Sequence, residues 1–476
     1  MILQTIIHLL LVSQFIYLLN LIATNLSSMF FILFALRDMM LSYFTERSNL
    51  IQNYLNSQSH LPISILVPAY NEETTIAQTL HSLLNIEFNE FEVIVINDGS
   101  TDYTLDRLMD EFHLYPIEMP RRLPIPHKKI YTVYHSHLYH NLVVIDKENG
   151  GKSDALNAGI NLSSYPLFCT LDADTILNRD SILKAVLRFS QDGTTIATGG
   201  TIGILNGSAL TPKHTVIRHL PRRLIEQMQI IEYTRGFLAG RTFWAAINGL
   251  LIVSGAFGIF RKDIVMAIDG YRHTIGEDLD LLIRMRRYCY QENKPHRVSY
   301  LPDIMCWTQA PSDYPSLLKQ RNRWHRGLIE TLYHNRSMIF NPKYGVVGLV
   351  TLPYYLLIEA LNPLVTFVGV ISVIALYLFN LINPDTILLF FVLEFVWGIA
   401  LNILSFWLEI FLESSFKTTE ILRLILTSML EPFYYKPLIK MEQLIATFTF
   451  MNTHWGEIRR HQIHAQKSTF SQKWAA

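Results

Sequence analysis

The sequence predicts an α/β fold built on a mainly parallel sheet and set between apolar helical ends. Between residues 60 and 345, short apolar runs alternate with stretches of helical spacing, as expected for buried strands with helices on both faces. The segments on either side are apolar over lengths that suit a bilayer. Pro68 to Glu72, Asp98 and Asp172 all fall just after apolar runs, at the strand ends beyond which such sheets bind ligands.

From Met1 to Leu36 there is no charged residue, more than the roughly 20 residues needed to cross a bilayer. The segment lacks a basic start and a small-residue cleavage site, so it does not read as a signal peptide. Asn20, Asn25, Ser27 and Ser28 interrupt it, and one long tilted helix or a helix plus an interfacial segment both fit. Ile63 to Val67 is the first strand. Glu72 to Leu84 has helical spacing. Phe91 to Ile96 is the second strand, ending at Asn97-Asp98-Gly99-Ser100, and Asp102 to Phe112 is the next helix. His113 to His140, rich in Pro, His, Arg and Tyr, reads as a surface loop. The same composition favours a loop over a metal site for His135, His137 and His140. Leu142 to Ile145 and Leu167 to Leu171 are further strands around a helix at Ser153 to Ile160. Leu279 to Arg287 is an amphipathic basic helix.

Val346 to Phe379 and Ile387 to Leu412 are apolar runs of spanning length that contain Glu359, Glu394 and Glu409. Acids are costly in lipid, so these three are expected to face the bundle or an interface. Ile421 to Phe450 is broken by Glu431-Pro432, Lys436-Pro437, Lys440 and Glu442. It fits a re-entrant hairpin, an amphipathic pair or one span. The resulting division is a membrane segment at 1–42, an α/β domain at 60–345, membrane and interfacial helices at 346–452, and a tail at 453–476. Arg121-Arg122, Arg222-Arg223, Arg284 to Arg287, Arg321 to Arg326, Arg459-Arg460 and Lys467 place the domain and the tail on the cytoplasmic side. The uncharged-to-acidic link Asn380 to Asp385 fits the outside.

The chain has 476 residues, half of them hydrophobic, and length alone suggests about three domains. A formal net charge of zero gives no electrostatic case for nucleic acid. Cys169, Cys289 and Cys306 form no CxxC, so neither a zinc site nor a disulfide frame is expected and buried thiols are.

Several short motifs carry chemistry. Asp98 can accept from a uracil imide or a ribose hydroxyl, though Asn-Asp-Gly-Ser is also an ordinary turn. Asp172-Ala173-Asp174 puts two carboxylates on one side of an extended chain, enough for a divalent cation that also binds a diphosphate. Glu148-Asn149-Gly150-Gly151-Lys152 joins backbone amides that can approach phosphate to a lysine point charge. Ser254-Gly255-Ala256-Phe257-Gly258 lets a ligand lie against backbone. In Gly276-Glu277-Asp278 the acids suit a helix start, and one can take a proton from an attacking hydroxyl. Gln320 and Arg323 share a helical face, with Trp324 adjacent. There Arg323 can pair with diphosphate oxygens and the indole can stack on a sugar.

Taken in order, Asp98, Asp172-x-Asp174, Glu277-Asp278 and Gln320-x-x-Arg323-Trp324 resemble the membrane-embedded family 2 glycosyltransferases, which include hyaluronan, cellulose and poly-N-acetylglucosamine synthases. The resemblance covers residues 60 to 330. It implies a Rossmann-like GT-A domain and a nucleotide-sugar donor, usually a UDP-sugar. It further implies that Pro68, Tyr70, Glu72 and Asp98 border base and ribose, and that Lys152 and Asp172 help hold the nucleotide. Asp174, with Asp172, would bind Mg²⁺ or Mn²⁺. Asp278, beside Glu277, would be the general base. Gln320, Arg323 and Trp324 would border diphosphate and acceptor, and Ser254 and Gly255 would line the acceptor side. Two positions depart from the common pattern: Asn97-Asp98 stands where many members have paired aspartates, and Gly276-Glu277-Asp278 where many have Thr-Glu-Asp. The implied partners are a polysaccharide or lipid acceptor, membrane lipids and an accessory subunit, and the implied location is the bacterial cytoplasmic membrane. Transfer of one sugar to a lipid, and a catalytically silent scaffold or transporter subunit, are the competing readings.

Overall fold

The computed structural model describes residues 1–45, 61–118, 123–211, 216–412 and 416–450. Arg121-Arg122, Arg459-Arg460, Lys467 and the whole 453–476 tail lie outside the described residues.

Four parallel strands form the centre of the sheet: β1 (Ile63–Ala69), β2 (Phe91–Asp98), β5 (Leu142–Lys147) and β6 (Leu167–Thr170). Period-two alternation divides their side chains between two cores. Ile63, Ile65, Val67, Val93, Val95 and Val144 face one helix layer. Leu66, Ile94, Ile96, Val143 and Ile145 face the other. The strands are buried on both faces, which is why they read as apolar runs rather than as alternation.

The sheet continues past this centre in mixed directions. On one side lie β3 (Leu114–Ile117) and β4 (Ile130–Ser136), antiparallel to each other, with β4 antiparallel to β5. This corrects the loop expected over His113 to His140. Ile130 and Val133 turn inward in a segment whose Pro, His and Tyr content hides its strand character. On the other side β11 (Gly258–Arg261) runs antiparallel to β6 and to β8 (Thr195–Ile204). Beyond these come β12 (Arg297–Thr308), parallel to β8, and the short β7 (Ile176–Leu177). A small hairpin, β9 (Ala209–Leu210) with β10 (Val216–Ile217), stands apart.

The N-terminal segment is a single helix, α1 (Ile2–Thr45), of 44 residues. Its first half packs on the C-terminal helices: Tyr17 stacks on Phe390 at 5.2 Å, and Asn25 donates to the Leu393 carbonyl. A Cβ on Gly369 would lie 2.3 Å from the Tyr17 ring, so the approach of those two helices requires glycine. The second half enters the core of the α/β domain through Ile32, Ala35 and Met39.

Among the described residues, two helices are long and apolar enough to cross a membrane, Ile2–Leu41 and Pro384–Glu409. The expected run from Val346 to Phe379 is not one straight helix. It bends by 45° between Val347–Ala360 and Asn362–Leu378, where Pro363 has no amide hydrogen to continue the ladder. Ile421 to Phe450 resolves into two helices, Thr418–Leu430 and Lys436–Thr449, joined through a π turn at Glu431–Tyr435. Leu422, Leu426, Phe433, Met441 and Phe448 are exposed on one side of this pair, and Glu431 and Tyr435 are buried on the other, so it is amphipathic. Of the three acids expected to face the bundle, Glu394 pairs with Lys440 at 2.8 Å and Glu409 with Arg218 at 2.7 Å. Glu359 accepts from Tyr354 Oη at 3.4 Å. All three cysteines are buried free thiols.

Candidate active site

Parallel strand ends build one wall of the site. Two loops that leave β1 and β2 brace each other: Asn71 N donates to Ser100 Oγ, Thr101 N to Asn71 Oδ1, and Glu73 N to Asp102 Oδ2. Pro68 is half-buried at the end of β1, and Tyr70 stands exposed at the rim. Glu72 is buried, its carboxylate accepting from Thr75 Oγ1 at 2.8 Å.

Asp98 is also buried, and three donors reach it. Lys147 Nζ lies 2.5 Å from Oδ1, and the amides of Gly150 and Gly151 lie 3.0 and 2.7 Å from Oδ1 and Oδ2. Parallel register makes Asp98 and Lys147 direct neighbours. Lys147 is fully buried and also meets Asp154 at 2.7 Å. Asp98 therefore organises the Gly150-Gly151 turn from beneath, a role that its place in Asn-Asp-Gly-Ser did not suggest. Gly151, at φ +84°, makes the turn that starts the Lys152–Leu162 helix.

The turn aims Lys152 across the strand ends. Its Nζ lies 2.6 Å from Asp172 Oδ1 and 3.7 Å from Glu277 Oε1. Burial works against its charge, but Asp172 and Glu277 outweigh burial and hold the lysine above its usual range. Asp172 and Asp174 follow β6. β11 pairs Gly258 with Thr170, which sets the 254–257 turn beside them. A Cβ on Gly255 would fall 2.7 Å from Lys152 Nζ, so a larger residue there would push the ammonium from its present place. Gly255 N donates to Asp278 Oδ2 at 3.3 Å.

Glu277 and Asp278 begin the Glu277–Gln291 helix, whose dipole favours them. Burial pushes the Glu277 carboxyl up to about 7; Lys152 and Arg323 pull it down and Asp278 pushes it further up. Burial likewise carries Asp174 up to about 7, with Asp172 adding to the shift. Asp172 is met by Lys152, and burial beside Asp172 makes the charged form of Asp174 costly unless a further cation joins the pair. Two such carboxylates fit a divalent cation whose remaining ligands are diphosphate oxygens and water. Among the described residues no cluster of three or more His, Cys, Asp or Glu forms a complete metal cage.

The Tyr314–His334 helix supplies the opposite wall. Arg323 stands near enough to Glu277 for its charge to lower the Glu277 carboxyl, a pairing that the sequence did not suggest. Gln320 and Trp324 are held differently. Gln320 Oε1 accepts from Arg321 at 2.5 Å, and Trp324 lies under the Arg321 guanidinium at 4.2 Å and beside Phe237 at 5.8 Å. Arg321, read from sequence only as part of a basic cluster, is buried. It pairs with Glu232 at 2.5 Å, and Tyr435 Oη donates to the same carboxylate at 2.6 Å. Sequence reasoning missed Lys147, Asp154, Arg321, Glu232 and Tyr435. Lys147 left a signal, a lone lysine closing an apolar strand. The others left none.

The site so described coincides with known sequence families. A profile described as "Glycosyl transferase family 2" matches residues 64–122, and one described as "Glycosyl transferase family group 2" matches residues 167–410, just over half of the chain. The poly-beta-1,6-N-acetyl-D-glucosamine synthase of Staphylococcus epidermidis is 26% identical over 385 residues, covering 78% of this chain and 80% of that one. The synthase of the same name from Staphylococcus aureus (strain COL) is 31% identical over 278 residues, 57% of this chain and 55% of that one. In fold, the chain is similar to the mannosyltransferase PcManGT from Pyrobaculum calidifontis, solved with GDP-Man and Mn²⁺. The TM-score is 0.52 at 14% identity, covering 88% of this chain and 99% of that one. With strand ends, carboxylates and helix in the order that both profiles span, the chain belongs to the family 2 glycosyltransferases and is an enzyme of that class.

Proposed function

We propose that this chain is a membrane-bound inverting glycosyltransferase that moves sugars from a UDP-sugar to a growing polysaccharide. The observation that carries the reading is the convergence of Lys152, Asp172, Glu277 and Asp278 around Gly255, between the strand ends and the Arg323 helix. Likeness to two poly-beta-1,6-N-acetyl-D-glucosamine synthases makes UDP-N-acetylglucosamine the first donor to test.

In this reading Pro68, Tyr70 and Glu72 border the base and ribose, and the Asp98-braced glycine turn presents Lys152 to the diphosphate. Ser254 and Gly255 line the acceptor side with Gln320 and Trp324. Asp278 takes the proton of the acceptor hydroxyl. The acceptor oxygen then bonds to the anomeric carbon from the face opposite the leaving UDP, which inverts the configuration. Lys152 and Arg323 meet the charge that builds on the departing diphosphate. Mg²⁺ or Mn²⁺ held by Asp172 and Asp174 would supply further charge neutralisation there. The domain faces the cytoplasm of a bacterial inner membrane, with the spanning helices beside a route for the product, an accessory subunit as a possible partner, and lipid around them.

The test is a donor screen on detergent-purified protein with Mn²⁺ or Mg²⁺, following UDP release and product size. A long polymer from one donor supports the reading, and a single-sugar lipid product replaces it with lipid glycosylation. Asp278→Asn is expected to lower transfer about 10²–10⁴-fold, the usual weight of a general base, with UDP affinity close to wild type. Loss of UDP binding in that variant would remove Asp278 from the role of base.

A further inference from the structure

The acids of Gly276-Glu277-Asp278 and the arginine of Gln320-x-x-Arg323-Trp324 belong to segments far apart in sequence, yet their backbones meet at two glycines. A Cβ built on Gly327 would lie 2.9 Å from Gly276 N and 3.0 Å from Gly276 Cα. A Cβ built on Gly276 would lie 2.9 Å from the Gly327 carbonyl oxygen and 3.1 Å from Thr331 Oγ1. The contacts between the two glycines are with backbone atoms, which no side-chain rotation relieves. The contact is fastened on the same face of the helix. Ile275 N donates to Glu330 Oε2 at 2.8 Å, and Asn335 Nδ2 donates to Asp280 Oδ1 at 3.2 Å. Arg287 donates to Asn335 Oδ1 at 3.0 Å, closing the far end. Positions 327, 330 and 331 form one stripe along the Tyr314–His334 helix, and Asn335 caps the helix at the end of that stripe.

We infer that Gly327, with Gly276 and Glu330, is a positioning residue that sets the spacing between the acceptor-activating carboxylates and Arg323. The inference deepens the functional reading above and rests on it. Gly276 is also where this chain departs from the Thr-Glu-Asp of many members, and the helix it meets presents bare backbone at that point. Neither glycine touches the nucleotide side, which Lys147, Asp98 and Lys152 organise on other elements. A Cβ at position 327 would therefore move the carboxylates relative to Arg323, whose charge counts most as the diphosphate departs, while the Asp98-braced glycine turn and Asp172, on other elements, keep their places. A displacement of about 1 Å in a reacting group can cost on the order of 10²-fold in rate.

The experiment compares wild type, Gly327→Ala, Glu330→Ala and Glu330→Gln in detergent, reading kcat, donor KM, and UDP affinity by titration with Mn²⁺. Gly327→Ala is expected to lower kcat about 100-fold, with KM and UDP affinity within about twofold of wild type. Glu330→Ala removes the acceptor for Ile275 N and is expected to lower kcat about tenfold. Glu330→Gln keeps a carbonyl oxygen there and recovers most of that loss. Wild-type kcat in Gly327→Ala, or UDP affinity falling in step with kcat, overturns the inference. If Gly327→Ala does not fold, the Glu330 pair decides: equal rates for Ala and Gln overturn it. A wild-type chain that transfers from no donor in the screen strikes the functional reading instead.

Discussion

The two walls of the site are held by opposite means. The wall proposed to hold the nucleotide is made of strand ends, and its key ion pair, Lys147 with Asp98, joins residues that sheet register already places side by side. The helical wall is fastened by Arg321, Glu232 and Tyr435, which come from three separate helical segments. Arg235 and Glu431 add a second such tie, with Asn402 donating to Glu431. A sheet positions its polar residues as a by-product of pairing. A wall of helices has no register, so its position must be specified by side chains. The practical difference is that the first wall should be rigid by topology and the second adjustable by changing one buried contact.

That contrast can be broken or sharpened by substitution. The largest effect is expected from Lys147→Met, which leaves the buried Asp98 without its cation. Removing one partner of a buried pair costs about 3–5 kcal/mol. Thermal unfolding in detergent should show a lowered midpoint, and UDP binding should fall with it. A stable variant that still binds UDP would mean that the glycine turn does not depend on Asp98 and Lys147. Arg321→Met is expected to cost less, about 2–3 kcal/mol, because Glu232 keeps the Tyr435 bond and is 22% exposed. Its signature should be reduced transfer with unchanged UDP affinity. Lost UDP affinity would show that the two walls are not independent. Tyr435→Phe deletes the hydrogen bond to the Glu232 carboxylate and the longer one that Tyr435 Oη accepts from Arg321 at 3.3 Å, about 2 kcal/mol together. Transfer should change by less than in Arg321→Met, and a larger change would move the weight of the tie onto tyrosine.

The same contrast explains what could be read from sequence. The strands ending at Asp98 and Asp172 were visible because each is an apolar run closed by a carboxylate, and the parallel fold then brings such ends together. The Lys152 turn and the Glu277-Asp278 helix start were visible for similar local reasons. β3 and β4 were not, since Pro, His and Tyr mask the alternation that Ile130 and Val133 carry. Arg321 looked like one more surface cation. Nothing local marks it as the buried one among Arg321, Arg323 and Arg326, because its partner lies 89 residues away. The bend at Leu361 lay within reach of the sequence, through Pro363, but the unbroken apolar run around it dominated.

The N-terminal helix works as an indexed shaft. At 1.5 Å per residue its 44 residues measure about 66 Å, while a bilayer's hydrocarbon takes up about 30 Å. Tyr17 is keyed to Gly369 at one end, and Ile32 and Ala35 are keyed to the enzyme's core at the other. One residue inserted between those keys would rotate everything beyond it by about 100° and lift it by about 1.5 Å. The heading and height of the sheet relative to the spanning helices are thus written as a residue count between position 17 and position 32, with Asn25 tied to Leu393 along the way.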